Sequence, residues 1–136
     1  MAKKFKYDIG ISYASEQRDY VKEIESSLQK NGMKCFVDYK EPEVLWGEYL
    51  PEKLRSIYMN ECRTILIFLS KEYAEKNYTI FESRIACERQ LSGNSFLLIK
   101  IDDVDLPWLN KTYGYINASQ YTIEEITKMV KKKSMI

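Results

Sequence analysis

The 136 residues match the length of one ordinary domain, so a single architecture is expected over residues 1–136. Apolar residues make up 45% and charged residues 30%, a balance typical of soluble globular proteins, and the formal net charge of +1 provides no whole-domain basic footprint for nucleic acid. The sequence contains no histidine, which excludes Ser-His-Asp and Cys-His catalysis and histidine-ligated metal sites. Any catalysis must therefore use carboxylates, hydroxyls or lysines.

The sequence also indicates where the protein works. No apolar stretch is long enough for a signal peptide or a membrane span, so a cytoplasmic location without membrane contact is expected. Cys35, Cys62 and Cys87 are odd in number and form no CxxC pair, which predicts reduced structural thiols, no disulfide framework and no metal site. The lysine run at 131–133 is interpreted as the start of a solvated, frayed tail over residues 131–136 rather than a binding arm.

Short runs rich in β-branched and aromatic residues predict the strands. They span residues 7–13, 34–39, 64–69 and 95–101, followed by a shorter fifth run at 113–116. Three of the runs are nearly continuous in hydrophobicity instead of alternating. This pattern favours burial on both faces, as in a parallel sheet covered by helices.

Helices are predicted between these strands. Ser15 is predicted to cap a helix after the first strand, and Asn31-Gly32 to end it. After the second strand, a loop from Lys40 to Gly47 precedes a helix with Pro51 in its first turn. The apolar residues of both helices recur at helical spacing, which indicates one buried face on each.

The second half of the chain continues the alternation. A helix with apolar residues on one face is predicted to follow the third strand and to reach about Leu91. Near the end of the chain, Thr122 and Glu125 have the spacing of a capping box at the start of the last helix. Five strands alternating with helices predict a flavodoxin-like, doubly wound α/β fold with a mostly parallel sheet.

In such a sheet, ligands bind outside the carboxyl ends of the strands, so the loops there form the expected functional edge. Neither G-x-G-x-x-G after the first strand nor G-x-x-x-x-G-K-[ST] occurs, so a bound nucleotide is expected to be a substrate rather than a stored cofactor. A phosphoacceptor receiver domain would need an acidic cluster after the first strand and an Asp ending the third. Residues 12–15 and Ser70 occupy those positions, which sets that interpretation aside.

Four motifs occur in order along the chain. Residues 7–15 read YDIGISYAS, residues 33–38 read MKCFVD, residues 41–50 read EPEVLWGEYL, and residues 77–86 read NYTIFESRIA. They resemble, in turn, the F/Y-D-x-F-I-S-Y-A box, the G-x-x-V-F-x-D box, the glycine-containing loop after the second strand, and the W-C-x-x-E-x-x-x-A segment of the TIR domain family. In the last motif Tyr78 and Thr79 replace the usual Trp and Cys.

The resemblance implies an enzymatic function. Glu82 falls on the family's catalytic glutamate, and TIR domains of bacteria, of plants and of one animal axon-degeneration factor cleave NAD to nicotinamide and ADP-ribose or its cyclic variants. The chain resembles the stand-alone prokaryotic TIR proteins of antiphage defence, whose cyclic products activate a separate effector, and a role in antiviral defence is expected. The resemblance thus implies NAD as substrate, no cofactor, and self-association through TIR–TIR contacts. Many animal TIR domains are scaffolds instead, so a non-enzymatic interaction module using the Lys40 to Leu50 loop is the alternative.

The chemistry assigns roles to particular residues. Cleavage of the nicotinamide–ribose bond produces an oxocarbenium-like centre, which the Glu82 carboxylate would stabilise. The residues predicted to bind the substrate at the functional edge are Ser12, Tyr13, Trp46, Tyr49 and Tyr78. Tyr13 and Tyr78 are favoured over Tyr20 and Tyr73. Trp46 and Tyr49 can equally cover the core edge or form an assembly surface. Hydrolysis and cyclisation both stay open.

Overall fold

One five-stranded parallel sheet forms the centre of the molecule. The computed structural model describes residues 5–37, 42–48, 53, 56–75, 96–104 and 114–134. The strands are β1 (Tyr7–Ser12), β2 (Cys35–Phe36), β3 (Cys62–Leu69), β4 (Phe96–Lys100) and β5 (Ile116–Asn117). Every strand pairs in parallel with its neighbour, in the order β2-β1-β3-β4-β5. This order is that of the flavodoxin-like fold, so the predicted fold class is confirmed.

The helices of the described residues are α1 (Arg18–Lys30), α2 (Pro42–Leu45), α3 (Lys71–Glu75) and α4 (Ile123–Ser134). Short 3₁₀ turns at Ser15–Gln17 and Ala118–Gln120 and a π-helical turn at Ile57–Glu61 complete them. The α2 turn lies where a loop was predicted, because Pro42 has the fixed φ that suits the first helical position. The predicted helices that begin near Pro51 and end near Leu91 lie outside the described residues, apart from a few positions of the first.

The start of α1 differs from the prediction that Ser15 caps it. Ser15 begins the 3₁₀ turn, its hydroxyl donates to Glu16 Oε1 at 3.2 Å, and the residue before α1 is Gln17, which makes no side-chain capping bond. The Gln17 amide donates instead to the Ala14 carbonyl oxygen at 2.9 Å. The 3₁₀ turn moves the start of α1 along the chain, so Ser15 lies three residues before the first residue of α1.

The predicted end of α1 is confirmed. Gly32 has a φ of +82°, its amide donates to the Gln29 carbonyl at 2.9 Å, and the Met33 amide donates to the Leu28 carbonyl at 3.1 Å. This pair of bonds defines a Schellman motif. Met33 is buried in the same apolar cluster as Leu28, which is the hydrophobic contact that accompanies the motif.

The predicted capping box of α4 is also confirmed, whereas the frayed tail is not. The Glu125 amide donates to Thr122 Oγ1 at 3.1 Å, and the Thr122 amide donates to Glu125 Oε1 at 2.9 Å. The helix continues through the lysines at 131–133 to Ser134, whose side chain is buried. The prediction of a frayed tail is therefore wrong for residues 131–134, which are helical. Two effects keep this end helical. The helix dipole favours lysines near the last carbonyls, and Val130 packs in the apolar core.

Apolar clusters cover both faces of the sheet. Leu66 and Phe68 of β3 belong to one cluster with residues of α1 and α4, whereas Ile65 and Ile67 belong to a second cluster with residues of α3. Neighbouring residues of a strand point to opposite faces, so the clusters lie on opposite sides, here called the α1 face and the α3 face. The predicted burial of the sheet on both faces is confirmed.

Gly10 lets three elements of the α3 face approach closely. A Cβ atom at this position would lie 2.6 Å from Cys62 Sγ and 2.9 Å from Tyr58 Cδ1. The hydroxyl of Tyr58 donates to the Ile11 carbonyl at 2.7 Å. The F/Y-D-x-F-I-S-Y-A box has a phenylalanine where this chain has Gly10, and the Tyr58 ring fills that space.

Candidate active site

The carboxyl ends of β1, β3 and β4 meet at one edge of the sheet, here called the carboxyl edge. Ser12 is the last residue of β1 and pairs with Ile67, while Leu69 at the end of β3 pairs with Lys100 at the end of β4. Paired residues of parallel strands point to the same face. Ser12 and Lys100 therefore share the α3 face, separated by β3.

Ser12 is joined to α3 by a hydroxyl–hydroxyl bond. Ser12 Oγ lies 2.9 Å from Tyr73 Oη, and either atom can be the donor. Both residues are buried, with exposed fractions of 4% for Ser12 and 2% for Tyr73. The predicted substrate-binding serine thus has a fixed partner within the protein.

Ser70 positions Tyr73 at this edge. Ser70 follows β3, and its hydroxyl oxygen accepts from the Tyr73 amide at 3.0 Å, which is the side-chain bond of a helix N-cap. The same hydroxyl donates to Gln17 Oε1 at 2.9 Å, and Gln17 Nε2 donates to Glu72 Oε2 at 3.3 Å. The 3₁₀ turn after β1 and the first turn of α3 are therefore tied together.

The end of β4 contributes charged groups to the carboxyl edge. The Asp102 carboxylate accepts from the Lys71 amide at 2.8 Å, so it binds the first residue of α3. Lys100 is buried, and its Nζ lies 3.7 Å from Asp103 Oδ1 and 4.1 Å from the centre of the Tyr115 ring. The α3 face of this edge therefore combines hydroxyl groups with a cation.

The predicted site residues fall into three groups. Ser12 lies at the carboxyl edge, as expected. Tyr13 is buried in the cluster of the α1 face, whereas Trp46, just after α2, is 87% exposed. Three of the predicted residues lie outside the described ones: Tyr49, Tyr78 and Glu82. The structure brings Ser12 together with Tyr73, which the sequence did not favour as a site residue.

The part of this network that the sequence analysis missed consists of Gln17, Ser70, Glu72 and Tyr73. A serine directly after a strand and before Lys71 is a capping signal, and it would have predicted the bond between Ser70 and the Tyr73 amide. The contact between Ser12 and Tyr73 spans 61 positions and has no local signal.

The described residues also line an open cavity of about 680 Å³. Its walls are β3, β4, the start of β5 and the last turns of α4, mostly apolar side chains with Lys132 and Lys133 among the lining. None of the predicted site residues lines it. Among the described residues, no group of three or more Cys, Asp or Glu side chains could hold a metal ion. Cys35 and Cys62 are buried and are not joined in a disulfide.

The sequence pattern of the TIR domain family matches residues 9–130. The chain belongs to the TIR domain family. A solved relative agrees: the TIR domain of the Toll-related receptor TRR-2 from Hydra magnipapillata superposes with a TM-score of 0.70 at 18% identity, covering 96% of this chain and 99% of that one. At this identity the likeness supports the TIR fold alone.

Curated proteins similar to this TIR domain are named as enzymes. It is 37% identical over 133 residues to the 3' cyclic ADP-D-ribose synthase AaTIR of Aquimarina amphilecti. It is 27% identical to the NAD(+) hydrolase TirS of Staphylococcus aureus and 28% identical to the 2' cyclic ADP-D-ribose synthase BtTIR of Bacteroides thetaiotaomicron. The matches cover 96%, 91% and 92% of this chain, and 41%, 46% and 45% of those proteins. The TIR domain thus spans less than half the length of these relatives. Among the residues described, no helix is both long and apolar enough to cross a membrane.

Proposed function

We propose that this TIR domain cleaves the nicotinamide–ribose bond of NAD, with Glu82 as the catalytic carboxylate. The observation that supports this most strongly is the 37% identity, over 96% of the chain, to a protein named as a cyclic ADP-D-ribose synthase. Glu82 also occupies the glutamate position of the W-C-x-x-E-x-x-x-A segment. The products are nicotinamide and either ADP-ribose or a cyclic form of it.

The residue types available suit this reaction. Departure of nicotinamide leaves positive charge on the ribosyl centre, and a carboxylate close to that centre stabilises the charge as it develops. Nicotinamide leaves as a neutral molecule, so no general acid has to protonate it. A domain without histidine can therefore catalyse the cleavage with one carboxylate.

NAD binds, in this proposal, across the carboxyl edge on the α3 face. Ser12 contacts the ribose next to nicotinamide or the carboxamide, and Tyr49 and Tyr78 contribute to the aromatic slot. Tyr13 is buried in the cluster of the α1 face, on the other side of the sheet, and does not contribute to this slot. Trp46, which is 87% exposed, stacks on the ligand or meets a second copy of the chain. In this proposal the domain self-associates and acts in the cytoplasm. Its nucleotide product reaches a separate effector in antiviral defence.

The test is a product assay on the wild-type chain and two variants, Glu82→Ala and Glu124→Ala. Each protein, at high protein concentration, is incubated with NAD. The products are then separated by chromatography with mass detection. Glu124 is the matched control, because it is an exposed carboxylate in the first turn of α4. We expect nicotinamide release from wild type and from Glu124→Ala, and a fall of at least about 100-fold in Glu82→Ala, the size of loss seen when one transition-state stabilising group is removed.

The mass of the second product separates the two reactions. Hydrolysis adds one water molecule and gives ADP-ribose, whereas cyclisation gives a product lighter than ADP-ribose by one water. If Glu82→Ala retains the wild-type rate, Glu82 is not the catalytic residue. If wild type releases no nicotinamide even with a crowding agent, the enzymatic proposal fails.

The second candidate function is a non-enzymatic module that binds other TIR domains. The exposure of Trp46 at 87% favours it, because aromatic side chains are enriched at protein–protein interfaces relative to the rest of the surface. Sedimentation of the wild-type chain and of Trp46→Ala over a concentration series tests it. Concentration-dependent association that is lost in Trp46→Ala, without any release of nicotinamide, would favour the module over the enzyme.

A further inference from the structure

We propose that Tyr73 is a positioning residue, which holds the Ser12 hydroxyl in the orientation that receives NAD. The proposal rests on the function proposed above, since it assigns a role in binding the same substrate. It assigns a role to the buried hydroxyl of Tyr73, which is bonded to the side chain of Ser12 at the carboxyl edge. Tyr73 itself does not touch NAD in this scheme.

The bond between the two hydroxyl groups selects one orientation of Ser12. A serine side chain has three staggered rotamers, and the 2.9 Å contact with Tyr73 Oη favours the rotamer that makes it. A serine hydroxyl has one donor and two acceptor positions. After bonding to Tyr73, Ser12 keeps hydrogen-bonding capacity for a hydroxyl or amide group of a ligand.

Tyr73 is itself held on several sides, so its hydroxyl is a fixed reference point. Its ring is buried in the cluster of the α3 face, together with Ile67 and Leu69. Its amide donates to Ser70 Oγ, and Ser70 Oγ donates in turn to the Gln17 side chain. The Tyr73 hydroxyl is therefore fixed in position, and Ser12 keeps the bond to it only in one rotamer.

Tyr73→Phe removes the hydroxyl and keeps the ring that packs in the core. Without its partner, Ser12 is free to occupy all three rotamers, and the productive one falls to about one third of the population. The apparent affinity for a ligand falls in proportion to the competent fraction. We expect the KM for NAD to rise about threefold with little change in kcat, when binding is faster than chemistry.

Tyr58→Phe is the matched control. The Tyr58 hydroxyl is also buried on the α3 face and donates at 2.7 Å to the carbonyl of Ile11, the residue before Ser12 in β1. Tyr58→Phe therefore removes a tyrosine hydroxyl that is bonded to the same strand but not to the Ser12 side chain. A merely structural role for Tyr73 predicts that the two variants lose similar thermal stability and keep the same KM.

The experiment measures KM and kcat for wild type, Tyr73→Phe, Tyr58→Phe, Ser12→Ala and the double variant Ser12→Ala with Tyr73→Phe. The positioning role predicts a higher KM in Tyr73→Phe, a wild-type KM in Tyr58→Phe, and no further rise when Tyr73→Phe is added to Ser12→Ala. The proposal is overturned if Tyr73→Phe keeps the wild-type KM, if Tyr58→Phe raises it equally, or if Tyr73→Phe raises it by the same factor in the Ser12→Ala background.

A binding measurement separates this inference from the proposed catalysis. Carba-NAD, in which a methylene group replaces the oxygen of the nicotinamide ribose ring, resists cleavage, and calorimetry gives its Kd for each variant. If the wild-type chain releases no nicotinamide, the proposed function fails, but a threefold weaker binding of carba-NAD by Tyr73→Phe still supports the positioning role. Equal binding by Tyr73→Phe and wild type, or no binding by either, overturns it.

Discussion

Gly10→Ala adds one methyl group where β1 meets Cys62 and Tyr58. The new Cβ would lie 2.6 Å from Cys62 Sγ and 2.9 Å from Tyr58 Cδ1, distances at which atoms must move apart. The strand cannot move sideways, because Gly10 is paired with Phe36 on one side and Ile65 on the other. The Tyr58 ring is buried and its hydroxyl is bonded to β1, so it also has little room.

The expected loss of stability follows from two opposing effects. Overpacking a core by a methyl group costs about 1–3 kcal/mol, and the rigid neighbours of Gly10 favour the upper part of that range. Alanine also restricts the unfolded chain, which returns about 0.4–1 kcal/mol. We therefore expect Gly10→Ala to lower the free energy of unfolding by about 2 kcal/mol, and the melting temperature by roughly 7 °C for a domain of this size.

Urea unfolding, followed by circular dichroism, measures this change from the midpoint at constant slope. Gly114→Ala is the control, since a Cβ there would meet open space and the residue has no positive φ. Its expected change is within about 0.5 kcal/mol. Adding Cys62→Ala to Gly10→Ala should cost less than the sum of the single changes, because the two side chains compete for the same volume. A loss below about 0.5 kcal/mol in Gly10→Ala, or an equal loss in Gly114→Ala, would refute the steric explanation.

Three further predictions concern helix ends and a buried hydroxyl. Gly32→Ala should lower the free energy of unfolding by about 1 kcal/mol in urea, because alanine at a φ of +82° is strained; an unchanged midpoint would argue against the Schellman geometry. Thr122→Ala should cost about 1 kcal/mol in the same assay and Thr122→Ser much less, since serine keeps the capping bond to the Glu125 amide; equal losses would exclude a role for that bond. Tyr20→Phe should raise the free energy of unfolding by about 1 kcal/mol, because the buried Tyr20 hydroxyl lacks a hydrogen-bond partner in the described structure. Burial, and then the charge of Glu23, raise the pKa of Tyr20 above its ordinary value, so the folded protein keeps that proton longer than the unfolded chain does. The stability that comes from this raised pKa is complete below about pH 10 and is lost as the pH rises above it. Between pH 8 and 11, the free energy of unfolding in urea should therefore fall less in Tyr20→Phe than in wild type.

Features that depend on neighbouring residues were predictable. The capping box at Thr122 and the glycine stop at Gly32 involve bonds between residues a few positions apart, and both are confirmed. The exception is Ser15, whose capping role was predicted from the same kind of signal. A 3₁₀ turn between β1 and α1 moves the helix start beyond Ser15, and no local pattern announces that turn.

Within the described residues, the alternation of strands and helices, the burial of the sheet on both faces and the edge at which the carboxyl ends of the strands meet follow from the sequence alone, because hydrophobic periodicity and turn residues act locally. The tertiary structure decided which side chains meet at that edge. Ser12 and Tyr73 are 61 positions apart, and their hydroxyl groups meet only because β1 pairs with β3 and Ser70 caps α3 over that pair. Gly10 and Tyr58 illustrate the same rule in the core, since the missing side chain of one residue is replaced by the ring of another. Such contacts depend on how distant elements pack, and packing is a property of the whole fold.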